Sequence, residues 1–323
     1  MHIVSTNVYG GPNQHALFPV IRHTIQLGAL EDRPTGTLPG FPEALVAALP
    51  GLAQHGCSYR EPGGFIRRMT EGDGTWMGHV WEHVALEIQG IAGNEVTFGK
   101  TRSTRRERGE YDMIYQFKHA EVGLAAGDLG LRLIRSLLPP DAAGSDEPFD
   151  WAVERDAFIR LAQRHAFGPS TQSLVDAAER RGIPWLRLNK QSLVQLGHGR
   201  HQKRVQATVT SETRHIAVEI ASDKEETRGV LAALGLPVPR QELVYSPDGA
   251  VEAAEEIGYP VVTKPLNANH GRGISIRLTT PEQVLDGFAE ARQHGTSRGV
   301  LVESFVTGFD HRMLVVNGAL VAV

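Results

Sequence analysis

The sequence predicts an α/β chain of the α+β kind, in two domains. Three observations carry this. After a proline-rich stretch at 139–148 (PPDAAGSDEP), helical and strand-like segments alternate towards the end of the chain, as they do where helices pack on a sheet. Before it, the amphipathic stretches 76–89 and 120–138 enclose a strand-like run at 110–119. The length, 323 residues, is about that of two average domains. The stretch 139–148 has turn formers, acidic charge and no large apolar residue, so it reads as a linker. The expected domains are therefore 1–150 and 151–323.

In chain order, a short first strand ends at the Gly10-Gly11-Pro12-Asn13 turn. Residues 18–30 mix strand and helix signals and lead into a turn that closes at Thr35. Residues 41–49 form a short helix with Pro42 in its first turn. The helix 76–89 closes at Gly90, and 120–138 stops at Pro139-Pro140. Beyond the linker, 151–167 and 170–181 are helical, the second with Ser170 as N-cap and Gly182 as its stop. Residues 183–188, 205–209 and 215–219 read as strands. A helix at 223–234 closes at Gly235, and a strand at 242–245 and a helix at 251–257 follow. A strand–loop–strand unit occupies 259–277, then come a helix at 281–294 and a strand at 300–303. Asn317-Gly318 between apolar runs predicts a hairpin. The chain stops inside it, at Val323, and is expected to be a fragment.

Composition narrows the function. Hydrophobic residues are 41% and charged residues 22%, enough for packed cores. A net charge of -4 gives no basic signature of a nucleic-acid binder, so no nucleic-acid partner is expected. One cysteine, Cys57, excludes an intrachain disulfide and fits a reducing compartment. No apolar run approaches the ~18 residues of a membrane helix. The N-terminus also lacks the pattern of a signal peptide. A cytoplasmic protein without a membrane partner is the expectation. The basic run at 100–108 reads either as a grip for carboxylates or as a solvated loop.

Two constellations carry chemistry. In the first, a strand ends on Lys264 and a loop, Asn267-Ala268-Asn269-His270-Gly271-Arg272-Gly273, precedes a second strand. Its Gly-x-Gly lets the backbone fold closely over an anion, with the lysine as a fixed charge beside it. The spacing matches neither G-x-x-x-x-G-K-[ST] nor a dinucleotide fingerprint. Lys224 stands at a helix start, where the dipole disfavours a cation unless an anion sits near. The apolar run ending at Glu303 leads past Val306, a segment suited to line an adenine slot, and Asp310 follows Gly308, placed to accept ribose hydroxyls.

The second constellation is His79-Val80-Trp81-Glu82-His83. On a helix the two histidines lie one turn apart on one face, with Glu82 beside them. This is the H-x-x-E-H arrangement. Two imidazoles can hold Zn²⁺, leaving Glu82 to deprotonate a metal-bound water. A third ligand is needed. Glu121, at the start of the next long helix, is the candidate, with His119 as the alternative.

The order of the first constellation resembles the ATP-grasp fold: a helix-start lysine, Gly-Leu-Pro-Val-Pro at 235–239, a strand ending in lysine, a glycine loop, and a hydrophobic-Glu segment with a later acid. IPWLRLN and SLVQLGHGRHQKRVQATVTSETRHIAVEIASDKEETR from Ile183 onward narrow the resemblance, as do LGALEDRPT at 27–35, NANHGRG at 267–273 and VESFVTGFDHRMLVV at 302–316. These stretches resemble cyanophycin synthetases, along essentially the whole chain. The resemblance implies an incomplete ATP-grasp domain after an N-terminal α+β domain. Lys224 and Lys264 would contact the phosphates of ATP, and His270, Gly271, Arg272 and Gly273 would form the loop over them. Glu303 and Val306 would frame the adenine, and Asp310 would hold the ribose.

The implied reaction phosphorylates a carboxylate, which an amine then attacks. The acid is the backbone terminus of the cyanophycin polymer or primer, and the amine is aspartate. A separate Mur-ligase-like domain adds arginine. ATP and Mg²⁺ are the implied cofactors, a homo-oligomer the implied assembly. No acidic set for Mg²⁺ follows Val323 and no Mur-type loop is present, so ligation by this chain alone is not expected. Some members of the family look as if their N-terminal domain trims the polymer with a metallopeptidase-like site, and His79, Glu82 and His83 fit that implication. The competing readings are a non-catalytic polymer-binding scaffold and another ATP-grasp amino-acid ligase.

Overall fold

A computed structural model describes residues 1–142, 148–267, 271–295 and 297–323. Residues 143–147, in the middle of the expected linker, lie outside these, as does His270 of the glycine loop. The chain divides into two compact units, 1–211 and 212–323. Among the described residues no helix is long and apolar enough to cross a membrane.

The first unit is built on an antiparallel sheet of β1 (His2–Tyr9), β2 (Val20–Gln26), β3 (Gly99–Ser103) and β4 (Glu110–Gln116), in the order β1-β2-β4-β3. The helices α1 (Phe41–Ala48), α2 (Gly64–Thr70), α3 (Met77–Ile91) and α4 (Ala120–Leu137) complete the core. The mixed signals at 18–30 resolve into strand β2 followed by a 3-10 turn at Gly28–Asp32. β2 is central and covered on both faces, which explains why VIRHTIQ shows no clean alternation.

α3 sets the geometry of everything that follows. Val80, Trp81, Val84, Ala85 and Ile88 are buried and pack with Ile21, Ile25, Met113 and Tyr115 of the sheet. Trp81 turns towards α4, where its indole N–H donates to the Gly127 carbonyl at 2.8 Å. α4 comes close because its facing residues are glycines: a methyl group at 130 would stand 3.1 Å from Val84 and 3.2 Å from Trp81. Burying these side chains contributes roughly 1.5–3 kcal/mol apiece, so the rotation of α3 about its axis is strongly specified.

α5 (Trp151–His165) and α6 (Pro169–Arg180) follow, with a second sheet of β5 (Trp185–Arg187), β6 (Leu193–Leu196), β7 (Lys203–Gln206) and β8 (Val209–Thr210). Its small core is Phe167, Val175, Val194 and Val205. These elements belong to the first unit, so the compact units divide at 211 and not at 150. The reason is visible in the packing. Ala142, inside the expected linker, is buried in the first core, Phe158 and Ala162 join it, and the Trp151 indole donates to the Ala48 carbonyl at 3.0 Å. α6 starts at Pro169, so Gly168 takes the N-cap place expected of Ser170.

The second unit begins with α7 (His215–Ser222) and α8 (Lys224–Ala233). α7 corrects the strand expected at 215–219. Ile216, Val218 and Ile220 alternate, yet local bonds favour the helix. His215 pairs with Glu219 one turn on at 3.3 Å, and the Ser222 hydroxyl donates to the Val218 carbonyl at 2.7 Å. Asp223 caps α8, its side chain accepting from the N–H groups of Glu225 and Glu226. A third antiparallel sheet, β9 (Gln241–Val244), β10 (Val261–Pro265), β11 (Ser275–Leu278) and β12 (Val300–Ser304), has the order β11-β10-β12-β9. α9 (Pro247–Ile257) and α10 (Pro281–His294) bury Ala250, Ala254, Val284 and Phe288 against it. β13 (Leu314–Val316) and β14 (Ala319–Ala322) form the hairpin expected at Asn317-Gly318.

Candidate metal centre and nucleotide site

With Trp81 committed to α4, positions 79 and 83 face the other way, because residues two apart on a helix point to nearly opposite sides. They meet a run of 3-10 turns at Pro50–Gln54 and Cys57–Tyr59. There Cys57, His79 and His83 bring one donor atom each within 4.8 Å of one another. The Cys57 sulfur lies 3.4 Å from His79 Nε2. Cys57 itself has a left-handed backbone, φ 46°, a conformation that costs a non-glycine residue on the order of 1 kcal/mol and so must be held by its surroundings.

Each histidine is also held through its Nδ1. His79 Nδ1 lies 2.9 Å from the Thr75 hydroxyl. His83 Nδ1 lies 2.8 Å from His55 Nδ1, and His55 Nε2 lies 3.0 Å from Glu87 Oε2. The His83 ring stacks on Phe65 at 4.0 Å. Burial pushes His79 down to about 4, helped by the Arg68 charge. Burial pushes His83 down to about 2, helped by His79 and His55. Both imidazoles are thus neutral near pH 7, the form that binds a metal.

Glu82 lines the same cavity, of about 850 Å³, together with His55, Cys57, His79, His83 and Thr101. Burial raises its carboxyl to about 7, against the opposing hydrogen bond from the Thr101 hydroxyl at 2.7 Å. A carboxyl in this range both takes up and releases a proton near neutrality. The carboxylate has room because β3 begins with glycine: a Cβ at 99 would stand 2.3 Å from Glu82 Oε1. A neighbouring cavity of about 400 Å³ shares the lining residues Glu95, Val96 and Thr97 with this one.

The expected third ligand is corrected. Glu121 does not join the pair; it sits at the start of α4, 3.9 Å from His165, lining a different cavity with His119 and Arg187. His119 is no substitute, since its Nδ1 receives the Arg187 guanidinium at 3.1 Å. α4 packs on the Trp81 side of α3, so its first turn does not reach the histidine face. Cys57 stands where Glu121 was expected. The donor set of one thiol and two neutral imidazoles suits zinc, and Glu82 adjoins it as the acid.

In the second unit, Lys264 of β10 and Glu303 of β12 form an ion pair on one face of the sheet. The register pairs Lys264 with Leu301 and Val262 with Glu303, which makes the two diagonal neighbours. Lys224 joins them, its ammonium donating to the Pro265 carbonyl at 3.3 Å. Its pKa is lowered by burial and by the Lys264 charge, with Glu303 opposing. Gly271 and Gly273 have φ 72° and 68°, as a close phosphate loop needs, and Arg272 between them is exposed. Val306 and Asp310 are exposed beyond β12. Lys224, Lys264 and Glu303 are thus brought together. His55, Cys57, Thr75 and Glu87, by contrast, were not singled out as site residues from sequence.

Residues 22–139 match the family described as cyanophycin synthase-like N-terminal domain, and residues 218–317 match the ATP-grasp domain. Over its whole length the chain is 40% identical to the cyanophycin synthetase of Geminocystis herdmanii and 42% identical to that of Trichormus variabilis. It spans 37% of the length of the first and 35% of the second. A D-alanine–D-alanine ligase of Ectopseudomonas mendocina is 29% identical over 103 residues, 32% of each chain. A bifunctional glutathione synthetase from Pasteurella multocida covers 90% of this chain and 58% of its own at 14% identity, but the TM-score of 0.32 carries no structural argument. The chain thus joins a cyanophycin synthase-like N-terminal domain to an ATP-grasp domain and is related along its whole length to the cyanophycin synthetases.

Proposed function

We propose that the chain is part of an ATP-dependent ligase of the cyanophycin synthetase type, and that its N-terminal domain carries a zinc-dependent hydrolase site that cuts the polymer to make primers. The whole-length likeness to cyanophycin synthetases supports the first statement. The Cys57–His79–His83 cluster, with Glu82 beside it, carries the second.

In the second unit, burial first and the Lys264 charge second lower the pKa of Lys224, with Glu303 opposing. An anion such as the triphosphate of ATP would be drawn to the two ammonium groups. The loop through His270, Gly271, Arg272 and Gly273 is assigned to cover the phosphates, Glu303 and Val306 to frame the base, and Asp310 to hold the ribose. Mg²⁺ accompanies ATP in such ligases. Among the described residues the carboxylate beside the lysines is Glu303, already paired with Lys264, so no magnesium ligand is assigned. The acceptor is assigned as the polymer's backbone carboxylate and the incoming amine as aspartate, with arginine added elsewhere in the enzyme.

In the first unit, Cys57, His79 and His83 would hold zinc. When bound, the metal supplies Lewis acidity and lowers the pKa of a water it holds. Glu82, buried and raised to about 7, takes the proton from the attacking water and returns it to the leaving amine. Thr101 keeps the carboxylate turned to the cavity, whose size accommodates a peptide segment.

The test is cleavage of purified cyanophycin by the whole chain, with bound zinc measured alongside. Glu82→Gln should retain zinc and lose about 100-fold or more in cleavage rate. Zinc-free protein with undiminished cleavage by Glu82→Gln overturns the hydrolase reading. Polymer binding without cleavage by the unaltered chain, and without ATP binding, favours the scaffold reading.

A further inference from the structure

We propose that His55, held by Glu87, is a positioning residue that fixes the proton of His83 on Nδ1 and so keeps the His83 Nε2 lone pair free for the metal. The proposal rests on the zinc reading above and adds two residues to it.

Two short contacts carry the proposal: His55 Nε2 to Glu87 Oε2 at 3.0 Å and His55 Nδ1 to His83 Nδ1 at 2.8 Å. Glu87 is an acceptor when ionised, so His55 Nε2, 3.0 Å away, must carry the proton of that bond. With that single proton on Nε2, His55 Nδ1 is left as an acceptor. The atom facing it at 2.8 Å is His83 Nδ1, to which the proposal assigns the proton of that ring. His83 Nε2 is left as the lone pair. Orientation of a metal-binding histidine through its second nitrogen, by a carboxylate or through a further group, is the usual way a site is made ready.

Three features hold this arrangement in place. His83 cannot turn over freely, because its ring is stacked on Phe65 at 4.0 Å and edge-on to His79 at 4.8 Å. Glu87 lies one helical turn beyond His83, so α3 itself carries both ends of the chain. The Glu87 carboxylate docks against bare backbone: a Cβ at Gly51 would fall 1.9 Å from its Oε1. His55 follows directly on the 3-10 turn that begins at Pro50, so the same turn seats the carboxylate and presents the imidazole. His79 is oriented differently, by the Thr75 hydroxyl. The two histidines thus have separate supports, and removing His55 addresses one of them alone.

The experiment uses the whole chain with Zn²⁺ alone as the probe, its affinity measured by competition with a chromogenic chelator. His55→Ala should weaken zinc binding by about 10- to 100-fold. His55→Asn, whose side-chain oxygen can stand near the lost Nδ1 and accept from His83, should recover most of that loss. The melting temperatures of the metal-free variants should stay near that of the unaltered chain, since a merely structural role would lower them and leave the two substitutions alike. Zinc affinity unchanged in His55→Ala overturns the proposal, as does an equal loss in His55→Asn. An unaltered chain that binds no zinc overturns both this inference and the hydrolase reading, whereas the first two outcomes leave that reading intact.

Discussion

The two units place their functional side chains on very different ground. His79, Glu82 and His83 ride on a helix of which eleven residues are buried, and Glu82 is itself only 4% exposed. Lys224 starts a helix with no buried residue at all, the helix before it has none either, and both strands of the hairpin 314–322 are exposed throughout. The first site is a by-product of core packing: the contacts that fix Trp81 against α4 also aim the histidines. The second is assembled from ends, a helix start and two strand ends, on the rim of a small core. A site of the first kind is rigid and its residues depend on the core. A site of the second kind depends less on the core and more on the ends of the elements that carry it.

That contrast can be broken at several points. The largest effect belongs to Trp81→Ala, which removes a fully buried indole and its hydrogen bond to Gly127. A loss of about 3–5 kcal/mol is expected, read by chemical denaturation. Zinc binding should fall with it while ATP binding by the second unit persists; loss of both together would mean that the units do not fold separately.

Next is the buried acid. The Glu82 carboxyl is raised from 4.5 to about 7, so the folded chain holds a proton there that the unfolded chain has released. Its contribution to stability therefore falls as pH rises from about 4.5 to 7 and stays low above that. In metal-free protein Glu82→Gln should be more stable than the unaltered chain at pH 8, by at most about 3 kcal/mol, and equal to it near pH 4.5. Thermal melts of both across that range provide the measurement. A Gln variant that is less stable at pH 8 would mean that the ionised acid is well solvated.

The smallest effect is at the rim. Lys264→Ala should weaken ATP binding by about 10- to 100-fold, from the loss of a charged contact, and leave zinc affinity unchanged. Titration calorimetry reads the first and the chelator assay the second.

Much of the scaffold could be read from sequence, because its signals are local. The helix around His79–His83 follows from its apolar period, and the observed bounds, Met77–Ile91, agree with it closely, although the helix runs through Gly90, its expected stop, and ends at Ile91. The Lys264 strand and its glycine loop are likewise local. What could not be read is contact over distance. Cys57 meets His79 across 22 residues and His55 meets His83 across 28, through 3-10 turns that have no period to extrapolate. Glu121 was chosen because it opens the next long helix, but which side of α3 that helix takes depends on Gly127 and Gly130, a packing matter. The strand expected at 215–219 failed for another reason: β-branched alternation is a weak signal where nothing buries one face, and α7 has no buried residue.

Gly99 has one more consequence, and it concerns descent. With Glu82 in place, any side chain at 99 collides with the carboxylate, although the backbone there is not left-handed and would accept one. A side chain at 99 therefore requires the Glu82 carboxylate to move from its present position. Related chains that have replaced Glu82 should tolerate larger residues at the position of Gly99, while chains that keep the acid should keep the glycine. The glycine is thus part of the room that the acid occupies, and the two positions are expected to vary together.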